Sequence, residues 1–141
     1  MALRLSTDDI RFINVFESYT GAKVRDCITD MDKIIVVVEK GQMGLAIGRG
    51  GSNIKRLRRM LRKEVEVVEH SPDLKEFIEN VLMPICVRGV KITERNGKKC
   101  VYVAVPSKEK GIAIGKNGQR IKKLKLLLKR CLLYTSDAAD E

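Results

Sequence analysis

A twenty-residue segment occurs twice in this chain, and that repeat restricts the possible folds more than any other feature. Gly44 to Lys63 reads GLAIGRGGSNIKRLRRMLRK, and Gly111 to Arg130 reads GIAIGKNGQRIKKLKLLLKR. At a constant offset of 67 residues nine positions are identical: Gly44/Gly111, Ala46/Ala113, Ile47/Ile114, Gly48/Gly115, Gly51/Gly118, Ile54/Ile121, Lys55/Lys122, Leu57/Leu124 and Leu61/Leu128. Several of the other positions exchange Arg for Lys. A single GxxG says little. Two copies, each followed by a basic amphipathic helix, predict a tandem nucleic-acid-binding module.

The chain has 141 residues, and the repeat divides it into two domains of roughly 60–70 residues, near the lower limit for a single core. Its 44% hydrophobic and 33% charged residues are those of a globular chain. The net charge of +10 suits a polyanionic partner, and its concentration beside the glycines matters more than its size. No segment approaches the ~20 apolar residues of a membrane span. The first residues, MALRLSTDDIRF, acquire acids too early for a signal peptide, so a cytoplasmic location is expected. Cys27, Cys86, Cys100 and Cys131 have no CxxC spacing, which argues against zinc. Three of them sit in apolar runs and are expected to be small buried hydrophobes.

Residues 131 to 141, CLLYTSDAADE, resemble a translated sequencing-library adapter. A basic helix stops, and an acidic, Ala-rich stub begins without a turn signal. The segment is set aside as foreign. Without its three acids (Asp137, Asp140, Glu141), 28 basic face 15 acidic side chains, or +13.

The first domain, 1–70, opens with a helix capped by Ser6 or Thr7 and carrying Asp8 and Asp9 in its first turn. Ile10, Ile13, Val15 and Phe16 are expected to form its core face, and Gly21 to end it. Strands are predicted over Val24 to Thr29 and Lys33 to Glu39, with Asp30-Met31-Asp32 as the turn. The run Ile34 to Val38 is apolar on both faces, as a central strand requires. A short helix over Met43 to Ile47, the glycine loop, a helix from Ser52 to about Lys63 and a strand over Glu64 to Glu69 complete the order α-β-β-α-α-β. The second domain, 71–130, begins at the turn Ser71-Pro72-Asp73. It has a helix bearing Leu74, Phe77, Ile78, Val81 and Leu82 that Pro84 stops. Strands over Val87 to Glu94 and Lys99 to Val105 flank an Asn96-Gly97 hairpin turn. The short helix, loop and basic helix then recur, and the last strand is missing.

In GRGG (48–51) and GKNG (115–118) the outer glycines, Gly48, Gly51, Gly115 and Gly118, allow a sharp turn between two helices. With Gly50, they let the backbone lie against a sugar-phosphate chain. The next helix presents free N–H groups and a positive dipole end to the same phosphates. Arg49, Lys116 and Asn117 can reach phosphate oxygens. Lys55, Arg58, Arg59 and Arg62, at i, i+3, i+4 and i+7, form one basic stripe opposite Ile54, Leu57 and Leu61. Lys122, Lys125 and Lys129 repeat it over Ile121, Leu124 and Leu128. Either helix alone reads as a solvated face over a core face. Ile47, Ile54, Ile114 and Ile121 are expected to floor a groove for bases, although the same residues also suit a plain core. Aromatics make up only 4% with no Trp, which disfavours stacking platforms.

Both halves resemble KH domains, whose GXXG loop clamps about four nucleotides of single-stranded RNA. The helix-first order is similar to the type II form, an α/β (α+β) fold with a three-stranded sheet packed on helices, truncated in the second copy. FESYTGAKVRDCI (16–28), GLAIGRGGSNIKRLRRML (44–61), VRGVKI (87–92) and GIAIGKNGQRIKKLKLLL (111–128) carry a resemblance to the archaeal branch of the NusA transcription-factor family. That resemblance implies single-stranded RNA binding in transcription termination or antitermination, with RNA polymerase or the elongation complex as a further partner.

Other chemistries find little support. Gly111 to Lys116 lacks the spacing of a P-loop and the Ser or Thr that would follow its Lys, so nothing there would hold Mg²⁺. His70, the only histidine, is expected to be a solvent-exposed bystander. Asp8/Asp9 and Asp30/Asp32 are explained by capping and turn roles. No catalytic pair, metal cluster or cofactor motif is discernible, and the chain reads as a non-enzyme. A ribosomal or rRNA-maturation KH protein is the alternative, and crosslinking that recovered mainly rRNA would favour it. A KH appendage of a larger enzyme such as a GTPase is disfavoured by the capped start at Met1 and the lack of G-motifs.

Overall fold

The computed structural model describes residues 7–29, 33–115 and 118–132, which divide into two compact units with the break between Pro72 and Asp73. In the first unit, helix α1 spans Thr7–Thr20. It ends because Gly21 adopts φ +75° and donates its N–H to the Glu17 carbonyl at 2.9 Å. Its buried face is Phe12 and Phe16, with ring centroids 5.9 Å apart, flanked by Ile13. Ile10 and Val15, expected in that face, are 47% and 36% exposed. Periodicity alone admitted either sector of the helix, and the two phenyl rings, with more apolar area to bury, take the core.

Strands β1 (Val24–Ile28) and β2 (Ile34–Val38) are antiparallel, with an irregularity between Val24 and Asp26. The expected turn at Asp30-Met31-Asp32 lies outside the described residues. β2 is the central strand and is buried along its whole length. Its other neighbour, β3 (Val65–Glu69), runs parallel to it, from Ile34 opposite Val65 to Val38 opposite Glu69. Parallel neighbours need a crossover connection. Here the crossover consists of α2 (Met43–Ile47), the glycine loop and α3 (Ser52–Leu61). Both ends of the predicted binding element are therefore anchored in one sheet. Ala46, Ile54 and Leu57 fix the crossover to a core that also holds Cys27, Val36, Val38 and Val65.

The second unit begins with α4 (Leu74–Leu82), which buries Phe77, Ile78, Val81 and Leu82 and packs against α6. Strands β4 (Gly89–Arg95) and β5 (Lys98–Ala104) form an antiparallel hairpin. Asn96 and Gly97 turn it with φ +54° and +79°, as a two-residue loop between twisted strands demands. After a 3₁₀ turn over Ser107–Glu109, α5 (Lys110–Ile114) and α6 (Gln119–Leu132) repeat the helix–loop–helix unit. Among the described residues this unit's sheet has two strands. α6 runs two residues into the stretch read as foreign, and 133–141 lie outside the described residues.

Two sequence expectations need correction. Cys27 is fully buried, but Cys86 is exposed and Cys100 half-buried, because Cys86 follows the end of α4 instead of lying within a packed strand. His70 is half-buried, not a solvent-exposed bystander, since its N–H donates to the Val38 carbonyl at 2.8 Å and ties it to the sheet. Desolvation lowers its pKa below the ordinary 6.5; Arg25 lowers it further, while Glu39 opposes the shift. The folded state thus binds fewer protons here than the unfolded one. The stabilisation of neutral His70 is present above about pH 6.5 and is lost as pH falls through the lowered folded value. Urea unfolding at about pH 7.5 and about pH 5.5 is expected to show the wild type losing more stability on acidification than His70→Gln. Equal losses would mean that His70 titrates alike in both states.

Candidate nucleic-acid interface

The two glycine turns are built alike. In the first, the Gly48 N–H closes α2 on the Gly44 carbonyl at 2.9 Å, and the Gly51 N–H bonds to the Gly48 carbonyl at 3.0 Å. In the second, Gly115 bonds to Gly111 at 3.0 Å and Gly118 to Gly115 at 3.1 Å. Gly48 has φ +79°, ψ 168° and Gly115 φ +82°, ψ 168°, a region essentially confined to glycine. Space is restricted there as well. A Cβ on Gly48 would lie 2.8 Å from the Asn53 amide nitrogen, and one on Gly115 would lie 2.9 Å from that of Arg120. Asn53 locks the first turn by donating its Nδ2 to the Leu45 carbonyl at 2.8 Å. The sequence reading missed this residue; its place two positions after a GxxG was the available signal.

Gly50 (φ +60°) and Gly51 (φ +77°) are also left-handed, so three of the four GRGG residues have a backbone that favours glycine. Gly51 occupies the N-cap of α3 and offers no side chain to cover the first-turn amides. The Ser52 N–H that opens α3 bonds to the Arg49 carbonyl, and Arg49 itself is exposed. Lys116 and Asn117 lie outside the described residues.

Lys55, Arg58, Arg59 and Arg62, the basic stripe expected on α3, are all exposed, as is Arg56, which the sequence reading left out. Arg58 stands four residues after Ile54 and so returns to the edge of the core face. Its Nε lies 2.6 Å from Glu64 Oε1, and its Nη2 donates to the Val65 carbonyl at 3.1 Å. It thereby joins the helix to the start of β3, and Glu64 offsets its charge. Arg62 is the C-cap of α3, with φ +52°. On α6, Lys122, Lys125 and Lys129 are exposed over buried Leu124 and Leu128.

Of the four residues expected to floor the groove, one is a core residue and two are half-buried. Ile54 is 5% exposed and belongs to the first unit's core, with Ile47 half-buried against it. Ile121 is half-buried, and the Ile114 side chain lies outside the described residues. Among the described residues no three His, Cys, Asp or Glu side chains are grouped to hold a metal, and no helix is long and apolar enough to cross a membrane.

Comparison with known proteins places this geometry in a family. The family described as "KH domain" matches residues 12–92, and that described as "NusA-like second KH domain" matches residues 74–130. A protein of Halobacterium salinarum named "Probable transcription termination protein NusA" is 39% identical over 130 residues, 92% of this chain and 93% of its own length. The chain belongs to the NusA family of KH-domain proteins. A NusA relative with the same printed name, from Methanococcus vannielii, is 39% identical over 86% of this chain and 70% of its own length. Among solved structures, one titled "Crystal structure of APE1850" has a TM-score of 0.81 at 38% identity, covering 96% of this chain and 99% of that one. The mixed α/β architecture of KH type, with sheets of three and two strands among the described residues, thus matches the fold of a solved chain of nearly equal extent. The match to the NusA-like second KH domain contains the whole second glycine turn, from Gly111 to Gly118.

Proposed function

We propose that this protein binds single-stranded RNA through both glycine turns and acts as a NusA-type factor in transcription termination, antitermination or elongation. The observation that carries this reading is the duplicated turn, in which the same hydrogen bonds and the same glycine-only conformation recur at an offset of 67 residues. Each turn leads into a helix with exposed cations. Gly48, Arg49, Gly50 and Gly51, with Lys55, Arg56 and Arg59, form the first grip. Gly115, Lys116, Asn117 and Gly118, with Lys122 and Lys125, form the second. Phosphates sit against the glycine backbone and the first-turn amides, and the cations neutralise them. The role is binding, not catalysis. The relatives' printed name, a probable transcription termination protein, supports a place in the transcription machinery, and RNA polymerase or the elongation complex is the second partner in this reading.

Salt dependence tests the grip directly. With about six phosphates neutralised, log K against log[salt] is expected to fall with a slope near −4 for a single strand. A slope close to zero would reduce the basic helices to solvated surface and remove the proposal. Crosslinking and sequencing of native RNA tests the transcriptional role, which predicts nascent transcripts over mature rRNA.

A further inference from the structure

At the 67-residue offset of the repeat, β2 of the first unit (Ile34–Val38) corresponds to residues 101–105, in and just after β5. β2 has a hydrogen-bonded strand on each side and is buried along its whole length. β5 holds the same place in the order but, among the described residues, pairs with β4 alone. Burial differs accordingly: Ile35 is 0% exposed, whereas its counterpart Tyr102 is 53% exposed. Val101 and Val103 are only half-buried, and Ile92, opposite Val101 on β4, is exposed. The outer edge of this seven-residue strand is a row of backbone N–H and C=O groups that templates pairing with another strand. The chain's own C-terminal end is poorly placed to supply it. α3 ends at Leu61, Arg62 reverses the chain with φ +52°, and β3 starts at Val65. The counterpart of Val65 is Leu132, and there α6 is still helical, so the chain has not turned back where β3 would begin.

We propose that the outer edge of β5 pairs with the β5 of a second copy of this chain, antiparallel across a two-fold axis, to make a four-stranded sheet. The strand suits its own copy. Lys98–Ala104 reads KKCVYVA, and a two-fold axis at Val101 is the centre that pairs all seven residues. Val101 then faces Val101, Cys100 faces the partner's Tyr102, and Lys98 faces the partner's Ala104. The two Lys98 residues stand six positions apart along the strands, about 20 Å, well beyond the screening length of about 8 Å at physiological salt. Shifting the axis toward the start of the strand would bring its lysine end against that of the partner, and facing like charges destabilise a strand pair. The association is weak, because each copy carries +10 and a strand edge buries less than the ~1,200 Å² of a standard interface.

Sedimentation equilibrium of the nucleic-acid-free full chain, from about 10 μM to about 1 mM, is expected to show a monomer–dimer equilibrium. Raising NaCl from about 0.1 to about 0.5 M should tighten it roughly threefold, by screening the repulsion between two basic copies. RNA binding responds to salt in the opposite sense. A disulfide reads the register. In a Cys86→Ser, Cys131→Ser background, Tyr102→Cys sets a thiol opposite the partner's Cys100. Facing antiparallel residues have Cα atoms about 4.5–5.5 Å apart, within disulfide range. Mild oxidation should then give a covalent dimer that forms roughly tenfold more slowly once Cys100→Ser is added. Tyr102→Lys tests the edge without cysteine chemistry: it should weaken the dimer roughly tenfold, since a lysine blunts a strand edge. Its melting midpoint should stay within a few degrees, as for most changes at exposed positions. The inference is overturned by a chain that stays monomeric throughout, by a dimer that salt loosens, or by crosslinking indifferent to Cys100→Ser. It is equally overturned if deleting residues 133–141 abolishes the dimer, since the tail would then be the joining segment.

Discussion

Gly48→Ala is expected to unfold the first unit at a much lower temperature than wild type. Two penalties combine. The backbone at φ +79°, ψ 168° is a conformation from which a Cβ is nearly excluded, at a cost of about 1–3 kcal/mol. The added Cβ would also stand 2.8 Å from the Asn53 backbone nitrogen, an atom fixed in α3 that cannot rotate away. Relief requires α2 and α3 to separate, which breaks the hydrogen bond from Asn53 to Leu45 and forfeits about another 0.5–1.5 kcal/mol. The total is roughly 2–4 kcal/mol, or a midpoint lowered by about 10–25 °C for a unit of this size. Gly44→Ala is the control. Gly44 lies in α2 with ordinary φ and open space where an added methyl would stand, so alanine there should cost nothing and could gain up to ~1 kcal/mol. Circular-dichroism melts of the two variants decide the matter. If Gly48→Ala melts within a few degrees of wild type, the turn does not depend on glycine in the way described.

Replacing Arg49 and Gly50 together with Asp is expected to abolish RNA binding by the first turn while leaving the fold intact. The substitution removes one cation and places two carboxylates where phosphates would lie, and such like-charge apposition costs several kcal/mol. A loss of about 3 kcal/mol corresponds to roughly a hundredfold weaker Kd. From the sequence, only Gly48 and Gly51 were expected to need glycine, so the fold should have lost little. The φ of +60° at Gly50 revises that expectation. Aspartate tolerates the left-handed region better than most residues, but about 1 kcal/mol of stability should still be lost. Melting temperature and RNA affinity measured on the same sample separate the two effects. The corresponding change at Lys116 and Asn117 addresses the second turn, and the combined variant should bind far more weakly than either alone. RNA binding undiminished in a folded combined variant would end the KH-type reading of these loops.

Much of this protein was legible in the sequence because its signals are local. A short helix around Met43 to Ile47 was recognised, and Asn96-Gly97 as a hairpin turn, because each depends on φ/ψ demands within a few residues. The doubly apolar run Ile34–Val38 marked a central strand for the same reason, since a strand buried on both faces cannot alternate. The repeat itself disclosed two turns of one design. What stayed hidden were choices between distant partners. That β3 runs parallel to β2, anchoring the glycine loop at both ends, follows from how the crossover packs and leaves no mark in either strand. Whether α1 buries Phe12 or Ile10 depended on which sector of the helix the sheet could fill. Arg58 read as a free cation until Glu64 and the Val65 carbonyl, brought near by the return of the chain, engaged it. By itself the sequence determined where the chain turns and where positive charge gathers, because those depend on steric limits and spacing along the backbone. The tertiary structure alone decided which of those charges remain available to a ligand and which glycine cannot be replaced, because both depend on atoms that approach only after the chain has folded.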